Sequence, residues 1–500
     1  MARRTRKPAI EVVGDNVAEP LTQRDRETLA DVVDSYRDGH TTRRRFILTS
    51  AAFGISVTSL SGLVAACGQS PTQQSGGGGN GDSKTAKLAI GVNVDADTVD
   101  PQAFKSIPGY YMLANLYDQL IDFEPAQTKT GLVADGTKTA PMIARSMEAS
   151  ADRRTFTFAL DPKATFSDGS PITAEDVKYT FQRGVEGEQY TKTVMGMLTL
   201  TSAKKITIQD PQTIAFELDE SNPMAERLIN LQVMSIQSKK VGSEHATADS
   251  KWADDYWRQN VFGNSAYTLK SWNRGEGWEL APSKNYYRSG MPKNGGLVFR
   301  IISDPQERLN LLKSGTLHVA YDVPAKDAAA IRDNGDGQTK LVSIQSPWSF
   351  GLAFNNSQEP FKDKRVRQAL SYAIPYDAII NNVMHGLGRP AKSMVPPGMP
   401  THDPSAWKYD TNPQTAKQLL DAAGHPDGFK SSIDVLIGRP EDEQAATLIQ
   451  ASFRDIGVEV DVRKLAEAEY QEKRNAGSSP MMIVEFYSWV TDPFYHLFWN

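Results

Sequence analysis

Groups that do chemistry are sparse in this chain, and their spacing does not gather them. Seven histidines occur, at His40, His245, His318, His385, His402, His425 and His496. No two have the separation that puts both imidazoles on one helical face for zinc. The one cysteine, Cys67, leaves no thiol to complete a metal cluster and has no partner for an internal disulfide. No Gly-x-Ser-x-Gly turn presents a nucleophilic serine. Carboxylates are abundant, but Glu175-Asp176 and Glu441-Asp442-Glu443 fall at helix starts, where the helix dipole accounts for them. The run Gly76 to Gly79 lacks the Gly-Lys-Ser/Thr ending and the strand-to-helix setting of a phosphate loop. These residues predict no catalytic constellation, no metal site and no cofactor.

What the chain does concentrate near turns is aromatic rings and a few polar groups. Trp348, Phe350 and Asn355 lie in the run Pro347 to Asn356. Tyr487, Trp489 and Asp492 lie in the run Phe486 to Pro493. Large ring faces with a small number of hydrogen-bonding groups are what a small-molecule cleft uses. The competing reading, that such rings are core, is preferred for Phe354 and Phe486.

The N-terminal region reads as an address. Thr42-Arg43-Arg44-Arg45-Phe46-Ile47 leads into an uncharged stretch, Phe46 to Ala66. Paired arginines, Arg43 and Arg44, before a moderately apolar segment predict a twin-arginine export signal. Thr49, Ser50, Gly54, Ser56 and Gly62 dilute that segment, which suits a removable signal better than a membrane span. Val64-Ala65-Ala66-Cys67 resembles a lipobox, with Cys67 as the residue that receives lipid. Residues 67–86 are rich in Gly and Ser and predict a flexible linker. Ahead of the signal, Leu29, Val32, Val33 and Tyr36 have the spacing of a short amphipathic helix.

The body must supply the scaffold. A chain of 500 residues exceeds one ordinary core, so two or three lobes are expected. Residues 67–500 hold 45 Lys/Arg and 52 Asp/Glu, a mildly acidic balance that excludes an electrostatic footprint for nucleic acid. Lys87 to Val92 reads as a strand, and Asn115 to Leu120 as a helix end running into a turn. Phe156, Phe158 and Leu160 alternate on a half-buried strand. Ser167-Asp168-Gly169-Ser170 is a turn, after which Thr173 caps a helix that turns Val177 and Phe181 inward. Asp363 caps a helix with the stripe Val366, Ala369, Leu370 and Ala373. Asn412-Pro413 starts another, with Ala416, Leu419, Leu420 and Ala423 inward and Gly424 at its end. Residues 432–462 read strand, helix, strand, which predicts a parallel, right-handed βαβ unit and an α/β lobe.

Several of these segments carry a resemblance. The run Phe156 to Val177, with Phe166-Ser167-Asp168-Gly169 at its centre, resembles the signature of the extracellular solute-binding proteins of family 5. Gly263-Asn264-Ser265-Ala266-Tyr267, Asn285-Tyr286-Tyr287, Ile302-Ser303-Asp304-Pro305, Leu312-Lys313-Ser314-Gly315 and Phe361 to Leu370 come in the family's order, so the likeness covers about residues 87–500. These are the peptide, nickel and oligosaccharide binders of ABC importers. The resemblance implies an α/β, two-lobed periplasmic-binding-protein-like fold (type II, cluster C-like) with an extra subdomain. It places the lobe I core at 87–120 and 262–325, the extra subdomain at 121–261 and lobe II at 326–500, after a signal region at 1–66.

The resemblance also implies an exported, lipid-anchored binding protein, a monomer, which closes on a solute and docks on permease subunits. It would sit on the outer face of the cytoplasmic membrane or in the periplasm. Trp489 would form an aromatic wall, and Asp492 would meet a ligand's terminal ammonium. Between Trp489 and Asp492 stand only Val490 and Thr491, fewer residues than the family often has. Short peptide leads as the solute, then oligosaccharide, then a metal chelate. The rival classes are an exported hydrolase and a sensory or adhesion lipoprotein. The family continues beyond the segment matching Asp492-Pro493, and the aromatic run Phe494 to Trp499 is unlike a natural terminus. Lobe II is therefore expected to be incomplete here, with the C-terminal part missing.

Overall fold

The computed structural model describes residues 85–127, 132–187, 190–335, 337–342, 348–486, 488, 490 and 492–499. All of these lie in one unit, Gly81–Asn500. Arg43, Arg44, Cys67, the helical pattern at Leu29 and most of the linker lie outside the described residues, as do Tyr487 and Trp489. No described helix is long and apolar enough to cross a membrane.

Strand β1, Leu88–Val92, is followed by helix α1, Ile107–Leu116. Ser106 caps α1 by accepting the Gly109 N–H, and Pro108 occupies the first turn, where a missing N–H costs nothing. Strands β2, Ile121–Gln127, and β3, Leu132–Pro141, make an antiparallel ribbon. Strands β4 (Ala144–Ala149), β5 (Thr155–Leu160), β6 (Ile206–Asp210) and β7 (Thr213–Glu217) form a separate sheet in the order β4-β5-β7-β6. On β5 the expected alternation holds, with Phe156, Phe158 and Leu160 fully buried.

Helix α2, Ala174–Glu186, packs Val177 and Phe181 beneath that sheet. Its start is a capping box on the expected Thr173, whose side chain meets the Asp176 N–H. In return the Asp176 carboxylate accepts both the Thr173 N–H, at 2.9 Å, and the Thr173 hydroxyl, at 2.8 Å. A short helix α3, Ala225–Ile229, follows.

The chain then returns to the sheet of β1. Strands β8 (Tyr267–Asn273), β9 (Gly277–Pro282), β10 (Leu297–Ile301) and β11 (Val319–Ala320) complete the order β11-β1-β10-β9-β8. Helix α4, Pro305–Lys313, joins β10 to β11. The turn that leads into β8 is held by Asn264, whose Oδ1 accepts the Asp118 N–H at 2.6 Å while its Nδ2 donates to the Ile236 carbonyl. Gly263 is required there, because a Cβ would stand 2.1 Å from the Leu116 carbonyl oxygen. One continuous apolar core runs through both sheets of this first lobe.

Beyond helix α5, Ala325–Asn334, the chain builds a second sheet system. Strands β12 (Ser349–Phe354), β13 (Phe429–Leu436), β14 (Val458–Leu465) and β15 (Met481–Phe486) lie in the order β12-β15-β13-β14. Helices α6 (Lys364–Ala373), α7 (Pro413–Ala422) and α8 (Pro440–Arg454) supply apolar faces to its separate core. The stripe Val366, Ala369, Leu370 and Ala373 is buried throughout; of the α7 stripe, Ala416 and Leu420 are buried and Leu419 and Ala423 half-buried. The expected β13–α8–β14 unit is parallel along its whole register, from Phe429 opposite Val458 to Leu436 opposite Leu465. A last helix, α9, spans Pro493–Trp499.

Candidate functional site

Two lobes with separate cores leave a seam, and the charged groups there are candidates for binding. The chain leaves the first lobe after β11, through Tyr321 to Pro324. Helix α5 already belongs to the second lobe, since the Ala325 N–H donates to Glu441 in α8 at 2.9 Å and Arg332 donates to the His385 carbonyl.

On the first lobe, the wall is aromatic. Tyr111 of α1 stacks on Tyr321, with ring centroids 4.2 Å apart and planes at 19°. Tyr110 meets Tyr111 edge-on at 6.3 Å. Loss of water, with nearby carboxylates secondary, raises the hydroxyl pKa of all three tyrosines, so they act as neutral donors and flat apolar faces.

Across from it, the second lobe presents charge. Arg439 stands at the N-cap position of α8 and pairs with Glu485 of β15; the two side chains remain 39% and 20% exposed. Asp322, at the exit of the first lobe, lies within the field of Arg439. Asp322 is exposed, yet partial loss of water at its carboxyl raises its pKa, while Arg308 and Arg439 oppose the rise. Burial pushes Asp442, in the first turn of α8, up to about 6, again against the pull of Arg439. One guanidinium thus pairs with one carboxylate and lies within the field of two more carboxyls, so both signs of charge sit within one small region.

A second seam lies at the other side of β15. Val490 and Tyr495 are buried in the core of the first lobe. Tyr495 and Tyr190 share a hydrogen bond of 3.1 Å between hydroxyls, and Arg227 of α3 reaches the Asp492 carboxylate at 3.1 Å. The other Asp492 oxygen accepts the Phe494 N–H at 2.9 Å, capping α9. His496 is buried, and loss of water lowers its pKa, with a hydrogen bond to the Met394 backbone opposing.

The six ring and polar residues singled out in the sequence are not one cluster. Asp492 engages Arg227 and a helix cap. Phe350 lies directly opposite Glu485 in the β12–β15 register and packs on the second core, so it borders the Arg439 pair. Trp348, 49% exposed, leads into the same strand end. Asn355 lies just beyond the opposite end, about 16 Å from Phe350 at roughly 3.3 Å per residue. There its amide donates to the carbonyls of Gly477, at 2.6 Å, and Ser479, at 3.2 Å, so it ties the β12 end to the loop before β15. Tyr487 and Trp489 lie outside the described residues.

Sequence reasoning passed over Tyr111, Tyr321, Asp322, Arg439, Glu485 and Arg227. For Arg439 a signal existed. A cation at a helix N-terminus opposes the dipole, and a residue that breaks a local rule marks a functional or strained position. Two concavities elsewhere, about 630 Å³ around Lys417 and Asp427 and about 570 Å³ around Phe166 and Ser238, are not lined by these seam residues. Among the described residues no group of three His, Cys, Asp or Glu side chains could hold a metal ion.

Residues 138–500 match the profile of the bacterial extracellular solute-binding proteins, family 5 Middle. The "Probable D,D-dipeptide-binding periplasmic protein DdpA" of Escherichia coli (strain K12) is 26% identical over 416 residues, covering 81% of this chain and 76% of that protein. The "Glutathione-binding protein GsiB" of Pectobacterium atrosepticum is 25% identical, covering 79% of this chain and 73% of that one. Among solved structures, the periplasmic binding protein DppA from Helicobacter pylori, in complex with the peptide STSA, superposes with a TM-score of 0.70 at 21% identity, over 83% of this chain and 81% of that one. That likeness fixes the two-lobed α/β fold.

Proposed function

The chain belongs to the bacterial extracellular solute-binding proteins of family 5, and on that premise we propose that it captures short peptides between its lobes outside the cytoplasmic membrane. The family binds solutes and does not transform them, so the chain is not an enzyme. Its role is the solute-binding component of an ABC importer.

The observation that carries the peptide reading is Arg439 set against Asp322 and Glu485. A short peptide is a zwitterion, and this region offers both partners. Arg439 is paired to Glu485; an incoming carboxylate exchanges for Glu485 on the guanidinium, whose flat fork suits a carboxylate. Glu485 and Asp322 then face the ammonium end. Tyr111, Tyr321 and Phe350 supply faces for side chains without demanding one sequence. Closure about Tyr321 to Pro324 removes water from these pairs, which strengthens them. In this reading Asp492 fastens the second seam through Arg227. The names of the dipeptide- and glutathione-binding relatives support a peptide-like solute.

The address residues complete the proposal. Arg43 and Arg44 direct export and Cys67 carries the lipid, so the protein is held at the membrane as a monomer beside its permease. Residues 87–120 and 262–325 form the lobe I core, 121–261 the extra subdomain and 326–500 lobe II, from whose end Val490 and Tyr495 reach into the first core.

End-blocked peptides test the peptide reading. In titration calorimetry against di- to tetrapeptides, C-amidation should weaken binding about tenfold or more, as loss of a charged hydrogen-bond partner does. N-acetylation should weaken it comparably. Equal affinity for free and doubly blocked peptides would remove Arg439, Asp322 and Glu485 from the site.

A further inference from the structure

The exit from the first lobe is held by a buried cation with an unusual set of partners. Arg308 lies on α4 and is 2% exposed. All its described hydrogen bonds go to main-chain carbonyls. Nε donates to Tyr321 at 3.1 Å and Nη2 to Asp322 at 2.7 Å; Nη1 donates to Ser303 at 3.1 Å and also to Ile302. Ile302 and Ser303 leave β10, while Tyr321 and Asp322 leave β11 towards the second lobe. One planar fork therefore ties the two exits together.

The surroundings fit that grip. Asp322 stands at φ +54°, a left-handed conformation that a side chain adopts reluctantly, and its carbonyl is one that Arg308 holds. Gly91 of β1 borders the Arg308 stem, since a Cβ there would crowd Leu317 Cδ1 at 2.6 Å and touch Arg308 Cδ at an ordinary 3.5 Å. Burial lowers the Arg308 pKa, with the fields of Asp322 and Asp304 opposing.

We propose that Arg308 is a positioning residue: its guanidinium fixes the direction in which the chain leaves lobe I, and so sets the angle between the two walls of the cleft. A carbonyl clamp of this kind needs the rigid fork. Lysine keeps the charge and the stem but cannot span four carbonyls. The inference rests on the two-lobed reading, yet its test needs no solute, so its failure is distinguishable from failure of the peptide proposal.

The test is a distance between lobes in the full chain. Lys204, exposed on the first lobe, and Lys417, exposed on the second, are changed to Cys and spin-labelled, with Cys67→Ser so that no other thiol reacts. The parent should give one narrow distance distribution by pulsed electron resonance. Arg308→Lys and Arg308→Met should broaden it or shift it by several ångströms. If Arg308→Met fails to fold, Arg308→Lys carries the test. A control pair with both labels on the first lobe should keep its parent distance in the lysine variant. Unchanged interlobe distances in a folded lysine variant would overturn the proposal, and so would equal broadening of the control pair, which would show a merely structural role.

Discussion

Inside the first lobe, a buried cation has several strong partners; at the seams, each charged contact is thin. Arg183 is fully buried and reaches Asp100 at 2.6 and 2.8 Å, Asp254 at 2.6 Å and Gln237 at 2.9 Å. Elsewhere in the same lobe, Phe181 packs on Phe216 at 4.4 Å, and Trp278 stacks on Phe299 at 4.6 Å. By contrast, the Arg227–Asp492 contact is a single bond of 3.1 Å between partly exposed groups. One hydroxyl pair joins Tyr190 to Tyr495. Parting charged groups is therefore cheaper at the seam than within a lobe, although Val490 and Tyr495 are buried in the first core. Breaking a lobe leaves buried charge unpaired, whereas parting the seam exposes groups that water can serve. Rigid lobes about a loose seam are what capture by closure requires.

The interior depends on paired charge most heavily at Asp100. Asp100→Ala leaves Arg183 buried with fewer partners and should cost about 3–5 kcal/mol of stability, read as a lower urea midpoint. A loss below about 1 kcal/mol would show the interior to be as tolerant as a surface pair.

Next comes Asp118. This carboxyl is fully buried, and burial raises its pKa to about 6 although the Ser265 and Tyr286 side chains hydrogen-bond to it. A folded pKa above the unfolded one means the folded state binds the proton more tightly. Its contribution is therefore fully present below the ordinary carboxylate range and is lost as pH rises to about 6. Asp442 acts in the same direction. Asp118→Asn should melt near the parent at pH 4 and gain on it by pH 7, by up to about 3 kcal/mol at roughly 1.4 kcal/mol per pH unit. A gain that did not grow with pH would contradict the sign.

The seam should give the reverse pattern, large in binding and small in stability. Arg439→Ala should weaken peptide binding by about 2 kcal/mol, the lower end for truncating one partner of a charge pair. Its melting temperature should stay near the parent's, because both Arg439 and Glu485 keep solvent access. Smallest of all, Arg227→Ala should cost about 1 kcal/mol or less. Its mark is faster hydrogen exchange at Val490 to His496, with β5 and β7 unchanged.

Much of the scaffold was legible because its causes are local. The alternation Phe156, Phe158, Leu160 and the stripe Val366, Ala369, Leu370, Ala373 each specify a face within a few residues. The parallel β13–α8–β14 unit followed from one period switching to another and back. The charged pairs were hidden because their partners are distant: at the seam Asp492 meets Arg227 from 265 residues away, and inside the first lobe Asp100 meets Arg183 from 83. Asn355 reads as a cleft amide by composition; its contacts to Gly477 and Ser479, 122 and 124 residues away, carry no local signal. No sequence pattern distinguishes a carboxyl that pairs across a seam from one that faces water.

Capture without chemistry is decided by titrating the full chain with a pool of di- to tetrapeptides and then analysing the recovered solute by mass. Saturable heat at one solute per chain is expected, with the peptide recovered intact and the heat sharply reduced in Arg439→Ala. Absence of heat across the pool, or recovery of the peptide cleaved, would contradict capture at this seam.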